Sequence, residues 1–414
     1  MTLLAEAQPT RRRIRRGLGL LGDSFSANCH TIDPKAFGTE AYGYAGAIAA
    51  KTGLFPSYLD NQGKVGDHSG QFMSRLPSCL TSATADLWML LSRTNDSTTP
   101  GMTLADSKAN VMKAITAFQN TPGKYLIVGT STPRFGTKAL TGQALADAIA
   151  YKDWVLSYVR QFVPVVNIWD GFTQDMTVDD LHPNLIGADF IQSKCVPIIN
   201  ANFEFFGVPL PTDAADLYSA IRPFGCLNPN PLMTGTTGVI NAAANPVAGS
   251  VLADNYKVSA SGLTGITTRW YKEQAAFGEA QCIELAGAMV AAGGYIYLQP
   301  AANVTLSNLL AGDVIEMVSA PEIVGNSRGI LGWEAELIIT KPVAATSTTI
   351  YYRSMDKYQE PFTLPANWKA ALETQRYTGD VTETVVTARM GLYLATGIAQ
   401  DSRVKVAQFG IRKL

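Results

Sequence analysis

The sequence predicts a three-layer α/β domain built on a parallel sheet, followed by a mostly antiparallel β-sandwich of jelly-roll type. Three observations predict this. Up to about residue 205, short apolar runs alternate with longer helical patterns, which calls for crossover connections and a sheet covered on both faces. From about residue 240 onward there is no long helical pattern, and β-branched and aromatic residues recur in period two between turns, as in antiparallel sandwiches. Between the two, residues 208–238 are rich in Pro, Gly and Asn and read as a linker with short helical content. The expected organisation is a basic arm (1–16), an α/β domain (17–207), the linker, and a sandwich (239–414).

Within the first domain, GLGLLGD (17–23) reads as a buried strand ending in a turn, and TEAYGYAGAIAAKTG (39–53) as a helix closed by Gly53. PSYLDNQ (56–62), DLWMLLS (86–92), KYLIVGT (124–130) and VPVVNIWD (163–170) read as further strands. Residues 103–120, with a Thr cap, 144–163 and 184–203 carry helical periodicity.

Composition excludes several classes. With 33 basic against 34 acidic residues the formal net charge is −1, so binding nucleic acid by bulk electrostatics is excluded. The five arginines between Arg11 and Arg16 read as a short solvated arm. Neither a signal peptide nor an apolar run of about 18 residues is seen, and no membrane association is expected. Five widely spaced cysteines and three histidines suit neither a disulfide framework nor a metal site.

Open α/β sheets place their chemistry at the carboxyl ends of the strands. After the first strand, Gly22-Asp23-Ser24 sets a serine in the strand-to-helix turn, where its hydroxyl is exposed as in a nucleophile elbow; a plain helix cap is the alternative. After the second comes Gly66, whose backbone N–H can approach a ligand closely unless it is an ordinary turn glycine. After DLWMLLS come Arg93 and Asn95; an asparagine amide there can donate to a developing oxyanion or merely cap a turn. Near the domain's end, Asp179 lies three residues before His182, so one turn can bring carboxylate and imidazole together.

Taken in order, these four signals resemble the blocks of the SGNH, or GDSL, hydrolase superfamily over about residues 17–203. The resemblance implies Ser24 as nucleophile, His182 as general base and Asp179 as orienting acid, with Asp180 as the competing candidate for the acid. It implies an oxyanion hole of the Ser24 and Gly66 N–H groups and the Asn95 amide, and no metal or organic cofactor. Arg93 stands where the family pattern carries glycine, which either alters the backbone before Asn95 or places a cation at the cleft rim.

An appended β-sandwich is the usual company of carbohydrate esterases, and the β-rich tail loosely resembles modules of phage tail and secreted carbohydrate-active proteins. The leading expectation is therefore an esterase removing O-acetyl groups from a polysaccharide such as a capsule or O-antigen. It would be virion-borne or extracellular, and a homo-oligomer or a partner of other tail proteins. The alternatives are a general short-chain esterase, lipase or thioesterase, and a non-catalytic glycan-binding virion protein. Candidate sugar platforms are Trp270, Tyr271, Tyr295, Tyr297, Trp333, Tyr351, Tyr352 and Trp368. Trp270, Tyr271 and Trp368, flanked by charged residues, are the ones expected at the surface.

Overall fold

The computed structural model describes residues 11–413 except 15–16, 30, 34–37, 41–42, 46–47, 49–51, 53–55, 206–209, 220, 222–224, 292, 306–311, 313, 326, 342–345, 356–362, 365–371, 374–376 and 379–384. After β1 (Arg12–Ile14), the first half builds a five-stranded sheet from β2 (Gly17–Gly22), β5 (Pro56–Gly63), β6 (Ala85–Leu91), β7 (Tyr125–Gly129) and β8 (Val165–Val166). Their order is β5-β2-β6-β7-β8 and every pairing is parallel. Every residue of β6 is buried, as a strand covered on both faces requires.

The helices are α1 (Ser24–Ala27), α2 (Ser69–Phe72), α3 (Leu76–Thr81), α4 (Leu104–Gln119), α5 (Gly142–Ser157) and α6 (Leu185–Asn202). Val111, Ile115 and Phe118 of α4 and Tyr151 and Val155 of α5 pack with Trp88, Leu90 and Val128 on one face of the sheet. Ala188, Ile191, Cys195 and Ile199 of α6 pack with Leu20, Met89 and Ile127 on the other. Thr103 caps α4 as its sequence predicts, with Asp106 completing the reciprocal cap.

Tertiary pairing overrides the sequence pattern in several places. Arg12–Ile14 is a strand rather than a solvated arm, paired in parallel with β9 (Phe203–Phe205). The expected helix 39–53 begins instead inside a hairpin of β3 (Thr31–Asp33) and β4 (Gly38–Glu40). That hairpin extends a sheet of the second half, Thr39 pairing with Tyr352; an open sheet edge offers unpaired backbone groups that outcompete a local helix. The expected helix 144–163 stops at Ser157, and the strand after it shortens to two residues before an irregular loop.

The second half contains β10 (Thr237–Ile240), β11 (Leu252–Ser261), β12 (Ile266–Ala275), β13 (Gly278–Ala288), β14 (Tyr295–Pro300), β15 (Val304–Thr305), β16 (Val314–Ile323), β17 (Ser327–Arg328), β18 (Ile330–Lys341), β19 (Thr346–Met355), β20 (Thr363–Leu364), β21 (Leu372–Glu373), β22 (Tyr377–Thr378), β23 (Val385–Leu394) and β24 (Ala399–Lys413). One sheet runs β10-β11-β14-β23-β18-β19-β4-β3 and the other β12-β13-β24-β16-β21. Ile296, Leu298, Leu337 and Leu392 of the first sheet share a core with Trp270, Ile283, Val404 and Val406 of the second, the arrangement of a sandwich.

The Pro- and Asn-rich stretch before the sandwich packs against the last strand, β24. Asn228, fully buried, accepts from the Ile411 N–H at 2.7 Å, Gln408 donates to the Pro211 carbonyl, and Arg412 pairs with Asp216. Among the described residues no helix is long and apolar enough to cross a membrane.

Candidate active site

Loops at the carboxyl ends of β2, β5 and β6 are joined by hydrogen bonds, Lys64 N–H to the Gly22 carbonyl and the Asn95 amide to the Asp67 carbonyl, and the loop before α6 reaches Ser24 through His182. The serine opens α1, whose N-cap is Asp23: the Asp23 Oδ1 accepts from the Phe25 N–H at 3.0 Å. The cap role therefore falls to the aspartate and leaves the Ser24 hydroxyl for other work. As the first residue of the helix, Ser24 has no carbonyl one turn back for its own N–H. Gly63, ending β5, allows the close approach of the two segments, since a Cβ there would lie 2.2 Å from the Ala27 nitrogen.

Ser24 Oγ lies 2.9 Å from His182 Nε2, and His182 Nδ1 lies 2.9 Å from Asp179 Oδ2. These contacts join positions 158 residues apart in sequence. The other Asp179 oxygen accepts from the backbone N–H of His182 at 2.8 Å and of Leu181 at 3.3 Å. Partial burial works to raise the Asp179 carboxyl, but the His182 N–H and imidazole and the Leu181 N–H outweigh it and hold the group below its usual range. With a carboxylate at Nδ1, the neutral imidazole carries its proton there and offers Nε2 as an acceptor to the serine hydroxyl. The Phe25 ring packs 5.9 Å from the imidazole, centroid to centroid.

The turn that carries the pair is a tight excursion closed by the Val178 N–H to His182 carbonyl bond and by Asn184, which caps α6. Asp180 sits at its tip in the left-handed region, φ +68°. Its carboxylate accepts from the Gln174 amide and the Thr137 N–H, so Asp179, not Asp180, meets the imidazole. Of the other histidines, His68 caps α2 through Nδ1, and His30 lies outside the described residues.

Asn95 meets the loop that carries Gly66. Its Nδ2 donates one hydrogen to the Asp67 carbonyl at 2.9 Å, which leaves the second for a ligand. Gly66, adjacent to Asp67, has φ +82° with open space where a Cβ would stand. Asp96, buried beside Asn95, accepts from both the N–H (2.7 Å) and the hydroxyl (2.6 Å) of Ser69, so the second and third loops are pinned together. No spacing rule reveals this pairing, because Ser69 and Asp96 lie 27 residues apart in sequence.

Arg93 does not reach the cleft rim. Its φ of +81° lies in the left-handed region that favours glycine, at a cost of about 1–2 kcal/mol for any other residue. The side chain, only 3% exposed, turns inward: Nη1 donates to Ser97 Oγ at 2.7 Å, and the guanidinium lies 5.5 Å from the Tyr151 ring centre. Trp270, an expected sugar platform, does not reach the surface. It is fully buried and its Nε1 donates to Thr268 Oγ1 at 2.7 Å, because Ile266, Thr268 and Trp270 alternate onto the core face of β12. Tyr271 is half-buried, its ring beside the Arg269 and Arg403 guanidinium groups and its hydroxyl donating to Glu284. Trp368 lies outside the described residues, as do the side chains of Trp333, Tyr351 and Tyr352. Tyr295 and Tyr297 cluster with Tyr393 on one sheet face; Tyr295 is half-buried, but Tyr297 is buried with the Arg389 guanidinium 3.9 Å from its ring centre, so it offers no free face to a sugar.

Asp23, the cap of α1, is a carboxyl shifted by its surroundings. It is fully buried, and burial pushes its carboxyl from 3.8 up to about 6; the Phe25 N–H, the Thr94 hydroxyl and His182 oppose the rise, and Asp96 adds to it. A carboxyl raised in the folded state stabilises the fold while protonated. That contribution is complete below the unfolded value and is lost as pH rises through about 6. The gap corresponds to roughly 3 kcal/mol, at about 1.4 kcal/mol per decade. Asp23→Asn keeps the acceptor for Phe25 and removes the titration. Its unfolding free energy in urea is therefore expected to decline less than the parent's between about pH 4 and pH 7. Parallel curves for the two proteins would show that this carboxyl titrates in the folded chain where it does in the unfolded one.

No protein-family model matches the chain, and no curated protein matches it. Among solved structures it is similar to a GDSL-like lipase from Bacteroides thetaiotaomicron, at 16% identity over 47% of this chain and 91% of that one, with a TM-score of 0.35. It is similar to a carbohydrate esterase family 3 protein from Talaromyces cellulolyticus, at 17% identity over 45% and 96%, TM-score 0.34. It is also similar to an acetyl-xylooligosaccharide esterase from a Geobacillus, at 16% identity over 46% and 95%, TM-score 0.37. GDSL-type lipolytic proteins and carbohydrate esterases are among the solved structures that this chain is similar to, these likenesses spanning about half of it.

Proposed function

We propose that the chain is a serine esterase that removes short acyl groups, acetyl foremost, from a polysaccharide. The observation that carries the reading is the unbroken line from Ser24 Oγ through the imidazole of His182 to the Asp179 carboxylate, with 2.9 Å at each step. In the reaction, His182 Nε2 takes the Ser24 hydroxyl proton as Oγ attacks the ester carbonyl. The negative charge on the carbonyl oxygen is met by the N–H groups of Ser24 and Gly66 and the free Asn95 amide hydrogen. The imidazolium, held by Asp179, returns its proton to the leaving alkoxide and an acyl-serine remains. Water, deprotonated by the same imidazole, then releases the acid and restores Ser24.

Support for a glycan substrate comes from the sandwich that shares the chain and from the half-buried Tyr295 and Tyr393 on it, since aromatic faces stack on pyranose rings. A virion-borne or secreted enzyme acting on capsule or O-antigen fits this arrangement. The test compares p-nitrophenyl acetate with esters of about eight carbons, then measures acetate release from O-acetylated polysaccharides. Preference for acetyl and release of acetate are expected. Faster turnover of the long chains with no acetate release would replace this reading by a general lipase or thioesterase.

A further inference from the structure

We propose that Arg75 is the positioning residue that holds the oxyanion-binding loops in register with the nucleophile, an inference that rests on the esterase reading above. Arg75 stands between α2 and α3 as the N-cap residue of α3, yet its side chain plays no part in that cap. It reaches back to the carboxyl ends of two strands. Nε donates to the Gln62 carbonyl at 2.8 Å, at the end of β5, and Nη2 donates to the Gly22 carbonyl at 3.1 Å, two residues before Ser24. Nη1 pairs with the carboxylate of Asp67, the residue after Gly66.

One planar group therefore binds the chain just before the nucleophile, the strand leading into the Gly66 turn, and the residue closing that turn. The third loop is attached through Asp67, whose carbonyl accepts from Asn95. The Gly22 carbonyl is a shared node, since it also accepts the Lys64 N–H at 3.2 Å. Asp67 is buried and the Arg75 side chain only 19% exposed, so water screens this pair less than a surface pair. A guanidinium offers donors in a fixed fork that can meet three acceptors in different directions at once, which a lysine ammonium on a flexible stem cannot reproduce. Ser24, Gly66 and Asn95 come from loops that share no strand, and donors displaced by about 1 Å can cost 10²-fold in rate. An arginine that touches all three loops, directly or through Asp67, sets the distance between nucleophile and donors without touching the substrate.

The test uses the full chain and p-nitrophenyl acetate, with melting temperatures recorded alongside. Arg75→Ala is expected to lower kcat about 10- to 100-fold with KM within about threefold. Guanidinium at low millimolar concentration, which leaves the parent unchanged, is expected to restore part of that loss. Arg75→Lys is expected to fall between the two at unchanged KM. A folded Arg75→Ala protein with parental kcat, or one whose loss lies in KM and is not rescued, overturns the proposal. Should Arg75→Ala fail to fold, Arg75→Lys decides: a partial kcat loss supports the role and full activity overturns it. Parental turnover no higher than that of Ser24→Ala would instead reject the esterase reading, and the role of Arg75 with it.

Discussion

Ser24→Ala is expected to lower kcat/KM for p-nitrophenyl acetate by at least about 10⁴-fold, because the oxygen proposed to form the acyl-enzyme is gone. The residual rate would come from water attacking an ester still held by the Gly66 and Asn95 donors. The same substitution should leave the fold intact. The cap of α1 is Asp23, not Ser24, so alanine at the first helical position removes no backbone partner. Alanine does remove the hydroxyl's hydrogen bond to His182. Kinetics and melting measured on the same preparation separate the two effects. Activity retained within about tenfold, in a protein that melts with the parent, would mean that another nucleophile acts.

Asp179→Asn is expected to give the second largest loss, about 10²- to 10⁴-fold in kcat. The asparagine oxygen can still accept from the His182 and Leu181 N–H groups, so the turn should persist. Its amide, however, presents a donor to Nδ1 where a carboxylate accepted. The ring must then carry its proton on Nε2, where it faces the Ser24 hydroxyl with a donor and can no longer take the proton. Because Asp179 is 44% exposed on its side chain, solvent softens the electrostatic part of the loss, and the lower end of the range is reached if water competes for Nδ1. Asp180→Asn is the matched control. Its carboxylate bonds Gln174 and Thr137, so kcat should stay within about threefold. Equal losses in the two variants would show that the turn as a whole, and not the Asp179 carboxylate, supports the imidazole.

Much of this arrangement is legible in the residues alone because it rests on local chemistry. The apolar runs of β2, β6 and β7 and the Thr103 cap of α4 are short-range patterns with one good solution. The Asp179–His182 contact spans three residues and fits within a single turn. The aromatic platforms escape such reading for the converse reason. Flanking charges around Trp270 suggest exposure, but in a strand the face is set by register, and register in a sandwich is chosen by partners far along the chain.

What the order of residues determined was which groups stand near the strand ends: a serine in a strand-to-helix turn, a histidine three residues after an aspartate, and small or amide residues at neighbouring strand ends. Whether those groups would touch was decided only by the folded chain. Arg75 joining Gly22, Gln62 and Asp67, Asp96 holding Ser69, Asp23 sealed from water, and Arg93 turned inward at a glycine's backbone angle all depend on contacts between distant segments. Local propensity falls off within a few residues, whereas burial and long-range hydrogen bonding act on the assembled tertiary structure.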